Sequence, residues 1–200
     1  MNAKNDGKIR LSCLVLLSCY LFIIQGAQAG FSSKQTIKSN QILKEYQGEI
    51  LRAKRLDSMF ASLKVVKNEQ NARRIEQAIW QLWFKPDNRV ARQMMQTIMA
   101  TREAGNYEES INLLNDLIVQ YPDYSEGWNQ RATIYYLMGN FEASVLDVAQ
   151  TLKLEPRHFG ALSGLAVMLW KQGDQDLARK SLSEAVRIHP FLAGQDMFDQ

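Results

Sequence analysis

The residue types that could carry out chemistry are few in this chain, and their spacing does not favour a metal site. His158 and His189 are the two histidines, and neither has a second histidine nearby in a His-x-x-x-His pattern. A zinc site normally needs several such ligands at short, defined spacings. The two histidines are therefore too far apart in sequence to hold a metal without additional ligands.

Other catalytic patterns are also missing from the sequence. Cys13 and Cys19 lie in an apolar N-terminal segment, so removal of that segment leaves no thiol nucleophile. There is no Gly-rich phosphate loop and no Gly-x-Ser-x-Gly pattern, and acidic residues on helical surfaces usually meet solvent. We expect no catalytic residue, no metal and no cofactor, and therefore a protein that is not an enzyme.

The N-terminal segment, from Met1 to Ala29, predicts an export signal. Its beginning is basic, the stretch 11–24 is apolar, and Ala27-Gln28-Ala29 places small residues where a signal peptidase cleaves. We expect cleavage after Ala29, with the membrane contacted only during export. Two alternatives stay open: lipid attachment at Cys19, and retention of the segment as an anchor. The apolar run is shorter than the ~20 residues that span a bilayer.

Removal of this segment leaves a nearly neutral chain. The whole sequence has 24 basic and 21 acidic residues. The segment contains Lys4, Lys8, Arg10 and Asp6, so 21 basic and 20 acidic residues remain. Domains that bind nucleic acid usually carry a clustered basic face. We therefore expect no nucleic acid among the partners.

Glycine and proline recur with one fixed period. The equally spaced glycines, and the prolines that follow them at a constant distance, are Gly105, Gly139, Gly173, Pro122, Pro156 and Pro190. A period of about 34 residues is typical of a repeated pair of helices, with a left-handed glycine turn after the first helix and a proline after the second. Strand-type alternation is absent, so we predict an all-α fold.

Two further segments precede the periodic part. Residues 30–40 are polar and lack strong periodicity, which predicts a flexible leader. Residues 41–90 carry two apolar stripes separated by the polar stretch 67–71, which predicts an antiparallel helical hairpin. Trp80 and Trp83 lie close together on its second helix and can share one face. We expect both to pack in the core and to cover the first end of the repeat stack.

The periodic part resembles the tetratricopeptide-repeat (TPR) family. The middle repeat matches best, through residues at the family's signature positions: Trp128, Ala132, Tyr135, Gly139, Phe141, Val148, Leu154 and Pro156. The resemblance implies three repeats, at 91–124, 125–158 and 159–194, with a short tail at 195–200. It also implies a right-handed α-solenoid of helix-turn-helix units, whose usual role is to bind other proteins.

By the family's geometry, the first helix of each repeat lines a concave face, and that face would be the binding site. The residues implied there are Met95, Met99, Arg102, Asn129, Thr133, Tyr136, Ser163, Val167 and Trp170. The mixture is apolar and aromatic with few charges, so it suits an extended or helical segment of a protein or peptide partner. Alternatively, some of these residues pack against the N-terminal helices or the leader. A cationic clamp for a peptide carboxylate, as some family members have, is not expected.

Arg131 departs from the family pattern, which usually has leucine or a similar residue at this position. A half-buried guanidinium needs a partner. Asp147 or Glu142 could pair with it inside the protein, or Arg131 could recognise an acidic group on a binding partner.

A looser resemblance to small exported TPR proteins of proteobacteria, which have no assigned role, favours the bacterial periplasm. The chain is therefore interpreted as a non-catalytic scaffold or adaptor in the cell envelope that binds a protein segment on its concave face.

The alternative is a structural or self-associating envelope protein, and thus a homo-oligomer. Few residues follow Pro190 to cover the apolar edge around Leu182, Val186 and Ile188. Repeat arrays normally need a covered end. Either Leu192, Met197 and Phe198 form a short cover, or the edge pairs with another copy or a partner.

Overall fold

The computed structural model describes residues 33–194 and 197–198, and the described residues contain helices and no strands. In chain order the helices are α1 (Ser33–Val65), α2 (Glu69–Phe84), α3 (Arg89–Glu103), α4 (Tyr107–Gln120), α5 (Ser125–Leu137), α6 (Phe141–Leu154), α7 (Phe159–Lys171) and α8 (Gln175–Ile188). The all-α prediction is confirmed. The signal-peptide prediction concerns residues 1–29, which lie outside the described residues.

The repeats are three helix pairs, α3–α4, α5–α6 and α7–α8, and each pair packs against the next in chain order, as in an α-solenoid. Gly105, Gly139 and Gly173 end the first helix of each pair with φ of +80°, +79° and +87°. Only glycine adopts this left-handed conformation without a steric cost, which explains why glycine recurs with the period of the repeat.

The residues after these glycines cap the second helices unequally. Asn140 accepts a hydrogen bond from the Ala143 amide at 3.2 Å, and Asp174 accepts one from the Leu177 amide at 3.4 Å. Asn106, at the equivalent position of the first repeat, makes no side-chain capping bond to a described residue.

Small residues let the two helices of a repeat approach closely. In the second repeat, Ala132 on α5 and Ser144 on α6 are both buried, and the Ser144 hydroxyl donates to the Ala132 carbonyl at 2.7 Å. In the third repeat, Ala166 and Ala178 are fully buried. A larger side chain at any of these four positions would push the helices apart.

The chain divides into two compact units, one up to Tyr46 and one from Gln47 onward. The described part of the first unit, residues 33–46, is helical throughout. The prediction of a flexible leader is therefore wrong for residues 33–40. This stretch contains no proline or glycine, and extending an existing helix costs far less than starting one, so polar residues can continue it.

Helix α2 contacts the turns that flank the repeats. The Tyr124 hydroxyl, just before α5, donates to the Trp83 carbonyl at 2.6 Å. The Trp83 ring stacks on His158, just before α7, with 4.0 Å between ring centroids. Glu76 lies beside His189, just after α8, with 3.4 Å between Oε2 and Nε2. Helix α2 therefore contacts three turns, which lie before α5, before α7 and after α8.

This placement corrects the expectation for the two tryptophans. Trp83 is buried in the core as expected, but neither indole covers only the first end of the stack. The Trp80 ring meets the rings of His158 and Phe159 edge-on, each at 5.5 Å. Sequence order does not fix where a helix packs, and α2 buries its aromatic face against the third repeat.

The C-terminal residues cover the edge of the third repeat. Leu192 and Phe198 are buried in the same apolar cluster as Leu182, and Val186 and Ile188 pack against that cluster. The expected short cover is present among the described residues. Leu182 is buried beneath this cover, whereas Val186 and Ile188 stay partly exposed, and self-association remains a prediction. No helix within 33–194 is both long and apolar enough to cross a bilayer.

Candidate protein-binding face

Two cavities lie along the first helices of the repeats. The first has a volume of about 300 Å³ and is lined by Phe84, Lys85, Arg92, Met95, Gln96, Met99, Ala100 and Glu103. The second has a volume of about 260 Å³ and is lined by Asn129, Ala132, Thr133, Tyr136, Ser144, Val148, Gly160, Ala161, Gly164, Val167 and Met168. We call them cavity 1 and cavity 2.

Six of the nine residues assigned to the concave face line these cavities. Met95 and Met99 line cavity 1, and Asn129, Thr133, Tyr136 and Val167 line cavity 2. Arg102, Ser163 and Trp170 line neither. Most of the assigned residues thus border one of the two cavities.

Two of the six contribute little surface. Met95 is 1% exposed and belongs to the same apolar cluster as Phe84, the last residue of α2. Asn129 is 7% exposed, and its Nδ2 donates to Glu126 at 3.0 Å. Both are therefore mainly core residues, and Met95 packs against an N-terminal helix as the alternative interpretation of this face predicts.

Trp170 is the main correction to the candidate site. Its ring stacks on Phe198 at 4.3 Å, with only 5° between the planes, and the Arg179 guanidinium lies 5.1 Å from the centre of the same ring. Trp170 is therefore part of the C-terminal cover. A residue beyond the last helix determines its surroundings, which the repeat pattern alone does not predict.

The remaining two residues bond within the protein. The Arg102 Nη1 donates to Gln130 Oε1 at 2.7 Å, and the Ser163 hydroxyl donates to the Phe159 carbonyl one turn back, at 2.8 Å. Both side chains are half-buried.

No charged side chain lines cavity 2. The Thr133 hydroxyl donates to the Asn129 carbonyl at 2.9 Å, so its oxygen remains able to accept. At the rim, the exposed Lys171 ammonium lies 4.8 Å from the centre of the Tyr136 ring and donates to the Tyr136 hydroxyl at 2.7 Å. The lining of cavity 2 thus combines apolar side chains with the hydroxyl groups of Thr133 and Tyr136.

Sequence reasoning missed a buried carboxylate. Glu126, in the first turn of α5, is completely buried. Its Oε1 accepts from Asn129 at 3.0 Å and from Gln130 at 2.6 Å, and its Oε2 lies 3.0 Å from His158 Nε2. The i, i+3, i+4 spacing of Glu126, Asn129 and Gln130 is a signal that the sequence does contain.

The hydrogen bonds of His158 define its protonation. The Ala161 amide donates to Nδ1 at 3.1 Å, so Nδ1 carries no proton. The neutral ring then carries its proton on Nε2 and donates it to Glu126. His158 therefore caps helix α7 with one nitrogen and satisfies the buried carboxylate with the other.

His189 is also completely buried but has no such bonds. Among the described residues neither of its ring nitrogens has a hydrogen-bond partner, although Glu76 Oε2 lies 3.4 Å from Nε2. Glu76 is partly exposed, and its other oxygen lies 3.4 Å from the Trp80 indole nitrogen. Within the described residues, no group of three histidine, cysteine or acidic side chains is placed to hold a metal.

Arg131 pairs inside the protein. It binds Asp147 through two hydrogen bonds of 2.7 Å, and a third of the same length joins it to Asn115. The bonds to Asp147 hold the pKa of Arg131 above its ordinary value. The guanidinium also lies 5.0 Å from the Trp128 ring. These contacts favour the structural role, with Asp147 rather than Glu142 as its partner.

Burial strongly raises the pKa of the Tyr124 hydroxyl, and the nearby Glu126 carboxylate raises it further. Tyr124 therefore keeps its proton and its hydrogen bond to Trp83 over the ordinary pH range.

Comparisons with known proteins agree with the repeats. Tetratricopeptide-repeat family models match residues 89–124 and 129–193. A TPR repeat-containing protein of Rhizobium etli is 32% identical over 153 residues, which cover 76% of this chain and 75% of that protein.

Two solved structures of MamA are also similar. One is 18% identical with a TM-score of 0.45, over 46% of this chain and 53% of that one. The other, a MamA mutant, is 16% identical with a TM-score of 0.42, over 74% and 88%. The family models and the 32% identical relative carry the assignment. This chain belongs to the tetratricopeptide-repeat family.

Proposed function

We propose that the protein is a non-catalytic scaffold of the cell envelope that binds a segment of a partner protein along the first helices of its repeats. The observation that carries this proposal is the pair of cavities, which six of the nine residues assigned to the face line. TPR proteins in general bind other proteins, and concave apolar clefts with a few polar groups suit peptide segments.

The chemistry of the face supports a peptide ligand with apolar anchors. Cavity 2 contains no charge, and cavity 1 combines methionine side chains with the charged Lys85, Arg92 and Glu103 at its border. Methionine surfaces adapt to different apolar side chains. A segment that spans both cavities would meet apolar surface in each and charged side chains in cavity 1.

In-cell crosslinking followed by mass spectrometry tests this proposal. Val167→Glu places a charge in the wall of cavity 2 and should remove the crosslinked partner. Leu146→Glu is the matched control, because Leu146 is 67% exposed on α6 and lines neither cavity. Circular dichroism must show equal helicity for both variants. Loss in both variants, or in neither, would contradict binding at this face.

The envelope location rests on the N-terminal pattern. The intact mass of the protein purified from its native cells should correspond to a chain that begins at Gly30. Cofractionation with periplasmic markers should accompany it. A retained N-terminus with cytoplasmic fractionation would contradict export. A mass increase at Cys19 would instead indicate the lipid-anchored alternative.

A further inference from the structure

Gly164 lies in the middle of helix α7, where its presence has no structural reason. Its backbone is helical rather than left-handed, and a Cβ built at this position meets no described atom within 4 Å beyond its chain neighbours and the backbone of its own helix. Glycine is among the poorest residues for a helix interior because it loses more conformational freedom than alanine. The fold would therefore tolerate a side chain at this position, and the empty space above Gly164 is part of cavity 2.

At Gly160, one helical turn earlier, an aromatic ring occupies the space that a side chain would fill. A Cβ there would lie 2.7 Å from Trp80 Cη2 and 3.0 Å from its Cζ2. The Trp80 indole is held in place by Trp83, Phe84 and Phe159, with ring centroids 5.1–5.7 Å away. Gly160 is thus required because an aromatic ring lies directly on the helix backbone.

The Gly164 position, where a Cβ would have free space, lies one helical turn after the Gly160 position, which Trp80 covers. Gly160 and Gly164 both line cavity 2, and Gly160 is also the residue on which Trp80 packs. The cavity volume of about 260 Å³ is below the ~300–1,000 Å³ of small-molecule pockets. It therefore suits one large side chain rather than a complete small molecule.

The walls favour an indole. Ala132, Val148, Val167 and Met168 provide apolar surface, and the Thr133 oxygen remains able to accept a hydrogen bond. Tryptophan combines a large apolar ring with a single N–H donor that needs a partner when buried. A charged side chain would find no ion partner among the lining residues.

We propose that cavity 2 accepts a tryptophan side chain of the partner segment, which packs on Gly164 as Trp80 packs on Gly160. This rests on the proposed function and specifies the partner's anchor residue. Thr133 accepts the indole N–H, and Gly164 determines specificity because only glycine leaves room for the ring.

The test uses a synthetic, uncharged host peptide of Ser, Gly and Ala with one central Trp, Phe or Ala. Binding to the full mature chain is followed by methyl NMR. The Trp peptide should shift the methyl signals of Ala132, Val148, Val167 and Met168. Its affinity should exceed that of the Ala peptide by about tenfold or more, as expected for an anchor residue. No shift of these methyls at about 1 mM Trp peptide overturns the proposal.

Three variants sharpen the test. Gly164→Leu fills the cavity and should reduce Trp-peptide affinity by about tenfold or more, while thermal stability stays equal or rises. Ala149→Leu is the matched control, because Ala149 is exposed and lines neither cavity, and it should bind like the wild type. Thr133→Val should remove the preference for Trp over Phe. Unchanged binding in Gly164→Leu overturns the proposal.

The failures of the two proposals are distinguishable. If the crosslinked partner is lost in Val167→Glu but the peptides show no preference for Trp, the anchor is wrong and the binding face stands. If the partner is retained in Val167→Glu, the binding face itself is wrong.

Discussion

His158 and His189 occupy equivalent turns after the second and the third helix pair, are both completely buried, and both lie beside a glutamate, yet their surroundings differ. His158 has partners for both ring nitrogens, and its carboxylate Glu126 is itself buried and accepts three hydrogen bonds. The ring nitrogens of His189 have no hydrogen-bond partner among the described residues, and the neighbouring carboxylate of Glu76 is partly exposed. We therefore expect the contribution of each histidine to stability to depend on its hydrogen bonds rather than on its burial.

The largest expected effect is at Glu126. Glu126→Ala leaves the donors of Asn129, Gln130 and His158 buried without an acceptor, so the free energy of unfolding should fall by about 3–5 kcal/mol. Urea denaturation measures it. The matched variant Glu76→Ala should cost less than about 1 kcal/mol, because Glu76 is partly exposed and has longer contacts. Equal losses would refute the contrast between the two carboxylates.

A smaller loss is expected from His158→Phe. The new ring can keep the stacking on Trp83, but the Ala161 amide and one oxygen of Glu126 lose their partner. The expected destabilisation is about 2–4 kcal/mol, measured by urea denaturation at neutral pH. Amide hydrogen exchange should also become faster at the start of α7. A change below about 0.5 kcal/mol would mean that the capping bond contributes nothing.

The same substitution at the other histidine provides the contrast. His189→Phe removes two ring nitrogens that have no partner, so the unfolding free energy should change by no more than about 1 kcal/mol, in either direction. The ring can keep its edge-on contact with Phe159. If His189→Phe destabilises as much as His158→Phe, then His189 makes a contact that its geometry does not reveal.

The smallest effect is the alkaline pH dependence of Tyr124. Its pKa is raised in the folded state, so above the ordinary tyrosine value of about 10 the unfolded chain releases this proton more readily. The stabilising contribution is complete below that pH and is lost as pH rises. Stability of the wild type should therefore fall above about pH 10. Tyr124→Phe should be less stable at neutral pH, with a shallower alkaline decline; parallel declines would contradict this.

Much of the architecture could be predicted from the sequence because turn requirements are local. Gly105, Gly139 and Gly173 are needed wherever the chain turns left-handed, so their spacing reports the repeat directly. The polarity of residues 33–40 predicts a flexible leader, but these residues are helical. The prediction is wrong because a helix can continue through polar residues once it has begun.

The candidate site was predictable only in part. Met99, Thr133, Tyr136 and Val167 follow from the position of each residue on its helix, and the structure places them on the two cavities. The surroundings of Trp170 do not follow from its position on the helix, because Phe198, which lies beyond the last helix, stacks on its ring.

The sequence by itself determined the all-α repeats, since each turn and each apolar stripe depends on residues a few positions apart. Only the tertiary structure decided which surfaces stay open. Helix α2 places Trp80 on Gly160 and leaves Gly164 uncovered, and it brings Trp83 onto His158. These contacts join residues far apart along the chain, and close packing rather than local pattern selects them.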